Sequence, residues 1–361
     1  MDPPLVAVVL AGGTGTRLYP ASTPQRPKQL QAFGGEAKLL ERTVARCRGV
    51  ADSVYVLTRP DLADAVRDTV PGVAVLTEPE PKDTGPALVY AAVRVREQVG
   101  DCVLACLPSD HHVAGDFAPT VERAAAAALE TGSLVTIGVE PDRPATGYGY
   151  IEPATGSGEE VNVGLDEEPD EEPAEEPNGD AGAGKSVDSD ATDQALLPAR
   201  PVGRFVEKPD RETAREYVDR GWYWNAGMFC WTPEAFLAAA RDSPLGNLVT
   251  AVESGRAAEG FAAVDPVSVD HAVLERADDV RVVPAGFDWD DLGDWDAVGR
   301  VLAADADADG NVVLGEGLAI DASDSVLATD GHVSVIGVED LVVASFEDRT
   351  LVVPRERAQD V

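Results

Sequence analysis

A glycine-rich stretch directly after an apolar run is the feature that most constrains this chain. Residues 5–10 are continuously apolar, which is typical of a buried parallel strand. They lead into AGGTGTRL at residues 11–18, where glycines let the main chain approach an anion closely and successive N–H groups point at it. Arg17 and Lys28 add positive charge nearby. The pattern predicts a polyphosphate-binding loop, and a bare turn is the alternative.

Two well-known loop types do not fit this stretch. A dinucleotide fingerprint requires glycine where Leu18 stands, and no Gly-Lys-Ser/Thr of a P-loop is present. The run LAGGTGTRLYPAS, closed by PKQ at residues 27–29, instead resembles the signature of the sugar-phosphate nucleotidyltransferases. The PKQ ending is most similar to that of the mannose-1-phosphate guanylyltransferases (GDP-mannose pyrophosphorylases). Further matches follow in family order along most of the chain.

Strand-like and helix-like segments alternate after the loop. Strands are predicted at residues 53–58, 73–76, 102–107, 133–139 and 280–284, and helices at 39–47, 61–70, 87–98, 118–130 and 233–241. This alternation predicts an α/β fold with a doubly wound, mostly parallel, Rossmann-like sheet. We assign residues 1–304 to this domain. Residues 305–361 read as a small, all-β C-terminal domain of short alternating strands, which resembles the β domain that ends this family.

The apolar run at residues 102–107 ends in PSDHH, which places Asp110 at the carboxyl edge of the predicted sheet. Ligands of open parallel sheets lie just beyond this edge, and a carboxylate there can hold Mg²⁺. The alternative is that Asp110 only caps a turn. His111 and His112 are predicted to be surface or packing residues. The block FDWDDLGDW at residues 287–295 resembles the family motif whose aspartate, here Asp291, is the second magnesium ligand.

The resemblance also implies the binding roles of further residues. It makes Arg17 and Lys28 the catalytic charges, and it places the sugar phosphate on Lys208 and a sugar hydroxyl on Glu207. Nucleotide binding is assigned to Leu10, Ala11, Gly12, Gly13, Thr14, Gly15, Thr16, Arg17, Lys28, Thr84 and Asp110, sugar-phosphate binding to Gly147, Tyr148, Glu207, Lys208 and Asn225, and magnesium binding to Asp110 and Asp291.

Several of these assignments have a structural alternative. The segment with Thr84 could be a proline-rich turn, and Asp83 and Gly85 depart from the family's usual Asn-Thr-Ala-Pro. The GYGY turn at residues 147–150 could be an ordinary hairpin, and YWNAGMF at residues 223–229 an aromatic core strand. The Glu207–Lys208 pair could be a surface ion pair, although the sequence has only five lysines. Asp288, Asp290 and Asp294 are predicted to form acidic surface.

The activity implied by the resemblance is transfer of GMP from GTP to mannose 1-phosphate, with Mg²⁺ as cofactor. An oxygen of the sugar phosphate attacks the α-phosphorus directly and pyrophosphate leaves in line, so that positioning and charge neutralisation supply the catalysis. A nucleotidyltransferase for glucose 1-phosphate with UTP or dTTP is the nearer alternative. A non-catalytic regulatory paralogue that binds sugar nucleotides is the more distant one.

Charge sets further limits on partners. The chain has 65 acidic against 29 basic residues, a formal charge of -36, which argues against nucleic-acid and anionic-membrane partners. Fourteen acidic residues and one lysine fall within residues 154–199, a segment with almost no apolar periodicity that is predicted to be a disordered insertion. The acidity extends over the rest of the chain as well, and with the scarcity of lysine it suggests a halophilic source.

The four cysteines, at positions 47, 102, 106 and 230, are predicted to be buried thiols rather than a disulfide or metal framework. With no N-terminal signal pattern and no apolar run of membrane-spanning length, we expect a cytoplasmic protein. The sequence leaves the oligomeric state open, a homo-oligomer included.

Overall fold

A computed structural model of the chain describes residues 3–13, 15–154 and 199–361. The strands in this part of the chain are β1 (Leu5–Leu10), β2 (Ser53–Thr58), β3 (Ala74–Thr77), β4 (Val103–Pro108), β5 (His112–Gly115), β6 (Leu134–Val139), β7 (Tyr150–Pro153), β8 (Arg200–Val206), β9 (Tyr223–Trp231), β10 (Val280–Pro284), β11 (Phe287–Asp290), β12 (Val312–Ile320), β13 (Val326–Ile336), β14 (Leu341–Phe346) and β15 (Arg349–Pro354).

The α-helices alternate with these strands up to residue 301. They are α1 (Leu39–Arg48), α2 (Ala63–Thr69), α3 (Thr84–Val99), α4 (Phe117–Thr131), α5 (Arg211–Asp219), α6 (Pro233–Arg241), α7 (Gly246–Glu253), α8 (Ala257–Ala263) and α9 (Trp295–Val301). None of the helices in the described ranges is both long enough and apolar enough to cross a bilayer. The predicted acidic insertion at residues 154–199 falls outside the described residues apart from its first and last positions.

The N-terminal half of the main sheet follows the sequence prediction. β3, β2, β1 and β4 lie side by side in that order and pair in parallel. Their central residues are buried on both faces, because helices cover both sides of the sheet. α3, α6, α7 and α8 pack on one face, and α1, α2, α4 and α5 on the other. The carboxyl ends of β1 to β4 therefore meet at one edge.

The other half of the sheet is mixed, which corrects the prediction of a mostly parallel sheet. The full strand order is β3-β2-β1-β4-β9-β6-β10-β8-β7, and β9 runs antiparallel to both β4 and β6. β10 is parallel to β6, whereas β7 and β8 pair in antiparallel fashion with each other. The apolar pattern could not reveal these directions, since a strand buried on both faces is apolar whichever way it runs.

The C-terminal strands form a separate four-stranded sheet. β12, β13 and β14 are parallel neighbours, and β15 pairs antiparallel to β14. The sequence pattern predicts short strands, whereas β12 and β13 have nine and eleven residues. A third apolar cluster joins this sheet to the first domain, with Leu18 and Trp295 on one side and Val312 and Val326 on the other. The C-terminal sheet thus belongs to the same apolar cluster as Leu18, the last residue of the glycine-rich stretch. The predicted boundary at residues 304/305 falls in a 3₁₀ turn at Ala303–Asp305.

Candidate active site

The glycine-rich loop is held in shape by side chains beneath it. The amide of Gln29, a buried residue, donates hydrogen bonds of 3.0 Å to the carbonyl oxygens of both Ala11 and Gly13. The Thr58 hydroxyl donates a further 3.0 Å bond to Ala11 O. Because two loop carbonyls point down to Gln29, the loop is fixed before any ligand arrives. Leu10 ends β1 just before the loop, and Thr14 lies outside the described residues.

Gly15 is required by two features of this loop. Its φ of 56° lies in the left-handed region, and a Cβ there would come within 2.6 Å of Lys28 Cβ. Thr16 and Arg17 follow in an exposed 3₁₀ turn, Thr16–Leu18. The bend at Gly15 brings the loop directly against Lys28, as the sequence motif requires.

Lys28 joins the two aspartates that the sequence singled out. Its side chain is only 5% exposed, and its Nζ lies 3.0 Å from Asp110 Oδ2. The same Nζ donates a short hydrogen bond to the backbone carbonyl of Asp291. Burial would raise the pKa of Asp110, but the charge of Lys28 and the hydrogen bond from its ammonium outweigh burial and hold the pKa of that carboxyl below its usual value. Asp110 is therefore ionised at neutral pH.

The loop that carries Asp291 is tightly braced. Asp290 Oδ1 accepts a 2.8 Å hydrogen bond from Leu292 N, and Asp291 Oδ1 accepts one of 2.7 Å from Gly293 N. Leu292 has a φ of 48°, which is unfavourable for a non-glycine residue. Strained backbone of this kind persists only where the surroundings enforce it.

Two of the aspartates predicted to be acidic surface are buried instead. Asp288 is exposed as expected, but Asp290 and Asp294 are each only 5% exposed. Asp290 is compensated by Arg300 at 3.0 Å and Arg143 at 3.4 Å. Asp294 caps α9 by accepting a 2.8 Å bond from Ala297 N. Arg143 lies 147 residues before Asp290 and Arg300 ten residues after it, so neither ion pair is evident from the composition of the acidic block itself.

A cavity of about 660 Å³ opens beside the glycine loop at the carboxyl edge of β1 to β4. Its lining includes Leu10, Gly12 and Gly13 as well as Asp110 and His111. Thr84, the first residue of α3, also lines it, and the Thr84 hydroxyl accepts a 3.0 Å hydrogen bond from Val269 N. The predicted Thr84 thus lines the cavity, while its side chain also fixes a neighbouring segment.

Glu78 is the residue of this cavity that sequence reasoning missed. It directly follows β3 and is 5% exposed, and its Oε2 is buried with no hydrogen-bond partner in the described part of the chain. Burial, partly offset by Arg59 and reinforced by Asp83, raises the pKa of Glu78 to about 7. The rule that singled out Asp110, a polar residue at the carboxyl end of a parallel strand, applies equally to Glu78 and could have found it.

The predicted sugar-side residues fall into two groups. Gly147 and Tyr148 line a smaller cavity of about 280 Å³ together with Arg17 and Asp291. Tyr148 packs edge-on against Trp224 and Trp289, with ring centroids 5.0 Å away in each case. These two residues thus share a cavity wall with the arginine predicted to bind the triphosphate and an aspartate predicted to bind magnesium.

The second group lies around Asn225. A Cβ built on Gly149 would be 3.5 Å from Glu207 Oε1 and 3.7 Å from Asn225 Cβ, which places these side chains together. Asn225 Nδ2 donates a 2.8 Å hydrogen bond to Asp270, which lines the larger cavity. Burial and Glu207 raise the pKa of Asp270. Lys208 is exposed next to Glu207, with a positive φ of 25°.

Asp270 was not singled out by the sequence either. It begins a five-residue π-helix, Asp270–Leu274, a local irregularity that is frequent at functional sites but leaves no mark in an apolar pattern. His111 follows the packing expectation, since it accepts a 3.1 Å hydrogen bond from Trp289 Nε1 and burial lowers its pKa. No group of three or more His, Cys, Asp or Glu side chains suited to a metal occurs within residues 3–13, 15–154 and 199–361.

The chain matches two protein families. Residues 6–188 and 186–308 match the nucleotidyl transferase family, and residues 315–361 match the mannose-P isomerase/GMP-like beta-helix domain. The second match agrees with the parallel β12 to β14 strands.

Individual relatives extend over almost the whole chain. The mannose-1-phosphate guanylyltransferase of Escherichia coli K12 is 32% identical over 380 residues, which cover 99% of this chain and 72% of that protein. The xanthan biosynthesis protein XanB of Xanthomonas campestris pv. campestris is 31% identical over 376 residues, with the same coverage. A crystal structure from Thermus thermophilus, described as a mannose-1-phosphate geranyltransferase, superimposes with a TM-score of 0.81 at 31% identity, covering 99% of this chain and 97% of that one.

Proposed function

The chain belongs to the nucleotidyl transferase family, and from this premise we propose that it transfers GMP from GTP to α-D-mannose 1-phosphate, forming GDP-mannose and pyrophosphate. The relatives named as mannose-1-phosphate guanylyltransferases support this choice of substrates. So does the arrangement of one buried lysine and two aspartates beside a preformed glycine loop.

In the reaction we propose, an oxygen of the sugar phosphate attacks the α-phosphorus of GTP. The bond to the bridging oxygen of the β-phosphate breaks as the new bond forms, and pyrophosphate leaves in line. The phosphate is already ionised and nucleophilic, so no side chain has to remove a proton. Lys28 supplies a desolvated positive charge at the reacting phosphate, and Arg17 with the loop amides of residues 11–16 binds the β- and γ-phosphates.

The residues present fit a magnesium ion. Mg²⁺ is usually held by one or two carboxylates together with substrate phosphates and water, so it needs no cage of protein ligands. Asp110 and Asp291 offer oxygen donors, and Lys28 keeps the pKa of Asp110 low enough for it to stay ionised. Bound by these two residues, the ion would neutralise negative charge on the phosphates of both substrates.

Within the described residues one structural observation supports guanine in addition to the relatives: Oε2 of Glu78 is buried without a hydrogen-bond partner in the lining of the larger cavity. Guanine presents two adjacent donors, N1–H and the N2 amino group, which match the two oxygens of a carboxylate. Uracil and thymine present a single N–H donor on that edge and would leave one oxygen of Glu78 without a partner. An unsatisfied buried acceptor is costly, so the site should favour guanine.

On the sugar side, carboxylates and one amide surround the space next to Gly149. Glu207, Asp270 and Asn225 carry the carboxylate and amide groups to which sugar hydroxyls can hydrogen-bond, and Asn225 already donates to Asp270. Lys208, next to Glu207, would bind the sugar phosphate. The strained backbone at Lys208 supports a binding role, because such conformations are retained where function requires a particular side-chain direction.

The test is pyrophosphate release in concentrated KCl with Mg²⁺, crossing mannose 1-phosphate and glucose 1-phosphate with GTP, UTP and dTTP. We expect mannose 1-phosphate with GTP to exceed every other pair. A faster glucose 1-phosphate pair would keep the mechanism but change the substrates. If a protein shown to be folded releases no pyrophosphate with any pair, a non-catalytic regulatory role would be favoured.

A second test addresses Glu78. ITP lacks the 2-amino group of GTP, so the wild type should prefer GTP over ITP by roughly tenfold to a hundredfold, the value of one hydrogen bond to a charged group. Glu78→Gln should reduce this preference, because an amide presents one acceptor where the carboxylate has two. Glu80→Gln, a change at an exposed neighbour of the same turn, serves as the control. An unchanged GTP/ITP ratio in Glu78→Gln would remove Glu78 from the base site.

A further inference from the structure

Arg355 connects the C-terminal sheet to the first domain. It directly follows β15 and begins a 3₁₀ segment, Arg355–Asp360. Two of its guanidinium nitrogens contact the same carboxylate oxygen of Asp296, Nη2 at 2.8 Å and Nε at 3.1 Å. The third, Nη1, donates a 2.9 Å hydrogen bond to the carbonyl of Asp324 within the C-terminal domain. Arg355 is thus anchored in one domain and clamps a side chain of the other.

Asp296 also forms an ion pair with Arg300, one turn further along α9. The second oxygen of Asp296 accepts a short hydrogen bond from Arg300 Nη1, and Arg300 Nη2 lies 3.0 Å from Asp290 Oδ2. Burial would lower the pKa of Arg300, but Asp290, Tyr148 and Asp296 raise it. Arg355, Asp296, Arg300 and Asp290 therefore alternate in charge and contact one another in a continuous line.

The line ends at the loop that carries the predicted metal ligand. Asp290 Oδ1 accepts a hydrogen bond from Leu292 N. The backbone carbonyl of Asp291, the residue between them, accepts a hydrogen bond from Lys28 Nζ. Leu292 is held in the left-handed region, so this loop would relax if its bracing were removed. Gly299 allows the close approach of the C-terminal domain, since a Cβ there would be 2.7 Å from Val326 Cγ2 and 3.3 Å from Arg355 Nη2.

We propose that Arg355 is a positioning residue for nucleotidyl transfer, which acts through Asp296, Arg300 and Asp290 to hold Asp291 and Lys28 in register. The inference rests on the proposed function for the role of Asp291. Arg355, Asp296 and Arg300 are partly buried and Asp290 is almost fully buried, so removing one member leaves a neighbouring charge poorly compensated and weakens the next pair. Arg355 thereby contributes to the active site from the C-terminal domain although it does not itself line the smaller cavity.

The experiment compares Arg355→Ala, Arg355→Lys and Asp296→Asn with Arg357→Ala. Arg357 lies on the same 3₁₀ segment, but its ion pair with Asp360 is exposed, which makes it a matched control. Three quantities are measured for each protein: kcat and KM for GTP from pyrophosphate release, the affinity for Mn²⁺ by electron paramagnetic resonance, and the thermal midpoint.

We expect Arg355→Ala to lower kcat and to weaken Mn²⁺ binding by roughly tenfold to a hundredfold each, as is usual when the support of a metal ligand is lost. The KM for GTP should change little, because Glu78 and Thr84 of the larger cavity do not contact this series of charged side chains. Arg355→Lys should recover part of the loss, since lysine keeps the charge but not the forked geometry. Arg355→Ala combined with Asp296→Asn should be no worse than Asp296→Asn alone, because Arg355 acts through Asp296.

A purely structural tie would give a different result. It would lower the thermal midpoint of Arg355→Ala while leaving kcat and Mn²⁺ affinity of the folded protein at the wild-type level, and this outcome overturns the proposal. If Arg355→Ala does not fold, Arg355→Lys and Asp296→Asn decide by the same criteria. If the wild type uses another substrate pair, kcat is measured with that pair. If the wild type transfers no nucleotide to any sugar phosphate, the proposed function fails. Equal Mn²⁺ affinities of the wild type and Arg355→Ala would separately overturn the role of Arg355.

Discussion

At the scale of single residues, buried charge is concentrated where the chemistry is proposed. Lys28 is one of only five lysines in the chain, and it is almost fully withdrawn from solvent against Asp110. Moving an ammonium out of water is costly unless a partner compensates it, so this lysine is retained at an energetic cost. A charge kept in so dry a position acts strongly on phosphates that come close to it.

We therefore expect Lys28→Ala to lower kcat by roughly a hundred- to a thousandfold, the usual loss when a transition-state charge contact is removed. The pKa of Asp110 should rise at the same time, because Lys28 is the main group that holds it low. The pH–rate profile measures both effects, and Lys38→Ala, whose Nζ contacts Thr69 away from the cavity, is the control. Unchanged turnover of Lys28→Ala would refute its role.

Glu78 makes a separate prediction about stability and pH. Its pKa is raised from 4.5 to about 7 in the folded protein, so between these values the folded state binds more protons than the unfolded state. The contribution of Glu78 to the free energy of unfolding is therefore most favourable at low pH. It falls by about 3 kcal/mol at most as the pH rises through this window. Glu78→Gln, which stays neutral, should be the more stable protein at pH 8 and should lack this part of the decline.

The measurement is the free energy of unfolding by urea from pH 5 to pH 8, taken without nucleotide. Only the difference between wild type and Glu78→Gln is compared, because the other carboxylates titrate equally in both. Parallel curves for the two proteins would contradict the raised pKa of Glu78.

At the scale of elements, the part of the fold that could be predicted is the part with local signals. The parallel strands β1 to β4 and their helices follow from apolar runs and helical spacing, and Asp110 follows from its place at a strand end. The antiparallel placement of β9 depends on pairing with strands far away in sequence, which no local pattern encodes. Asp290 was misassigned because its acidic neighbours suggested a solvated surface, whereas its ion pairs with Arg300, ten residues later, and Arg143, 147 residues earlier, form only in the folded chain.

The glycine loop offers a test at this scale because its glycines differ in their surroundings. Gly15→Ala should destabilise the protein by about 1–2 kcal/mol for the left-handed backbone alone, and more because the new Cβ would meet Lys28. Gly13→Ala is the control, since a Cβ there has nothing within 4 Å. Urea unfolding measures both. Equal stability of the two variants would show that the loop is less constrained than the hydrogen bonds of Gln29 indicate.

At the scale of the whole molecule, a formal charge of -36 governs behaviour in solution. Self-repulsion of this size opposes the compact state and is reduced by screening, since the Debye length falls to about 3 Å at 1 M salt. The arginines that remain are largely used in ion pairs, including the series that ends at Asp290. Dissolved ions must then supply the rest of the compensation.

We expect the thermal midpoint to rise by about 5 °C or more between low salt and molar KCl, as a gain of ~2 kcal/mol would produce in a domain of more than 150 residues. Sucrose at the same osmolality is the control, because it strengthens burial without screening charge. A protein that stays folded and active without added salt, or that responds equally to sucrose, would contradict the halophilic interpretation.

The pairing of β7 with β8 has a consequence for protein engineering. Tyr150 and Ile151 lie opposite Val206 and Phe205, and Ala154 N donates a 2.8 Å hydrogen bond to Pro201 O, so both ends of the intervening residues are fastened in the sheet. Once the ends of a connection are fixed, doubling its length costs only about 0.6 kcal/mol. Residues 155–198 are thus a position at which a reporter domain could be spliced in while the carboxyl edge of β1 to β4 keeps its place.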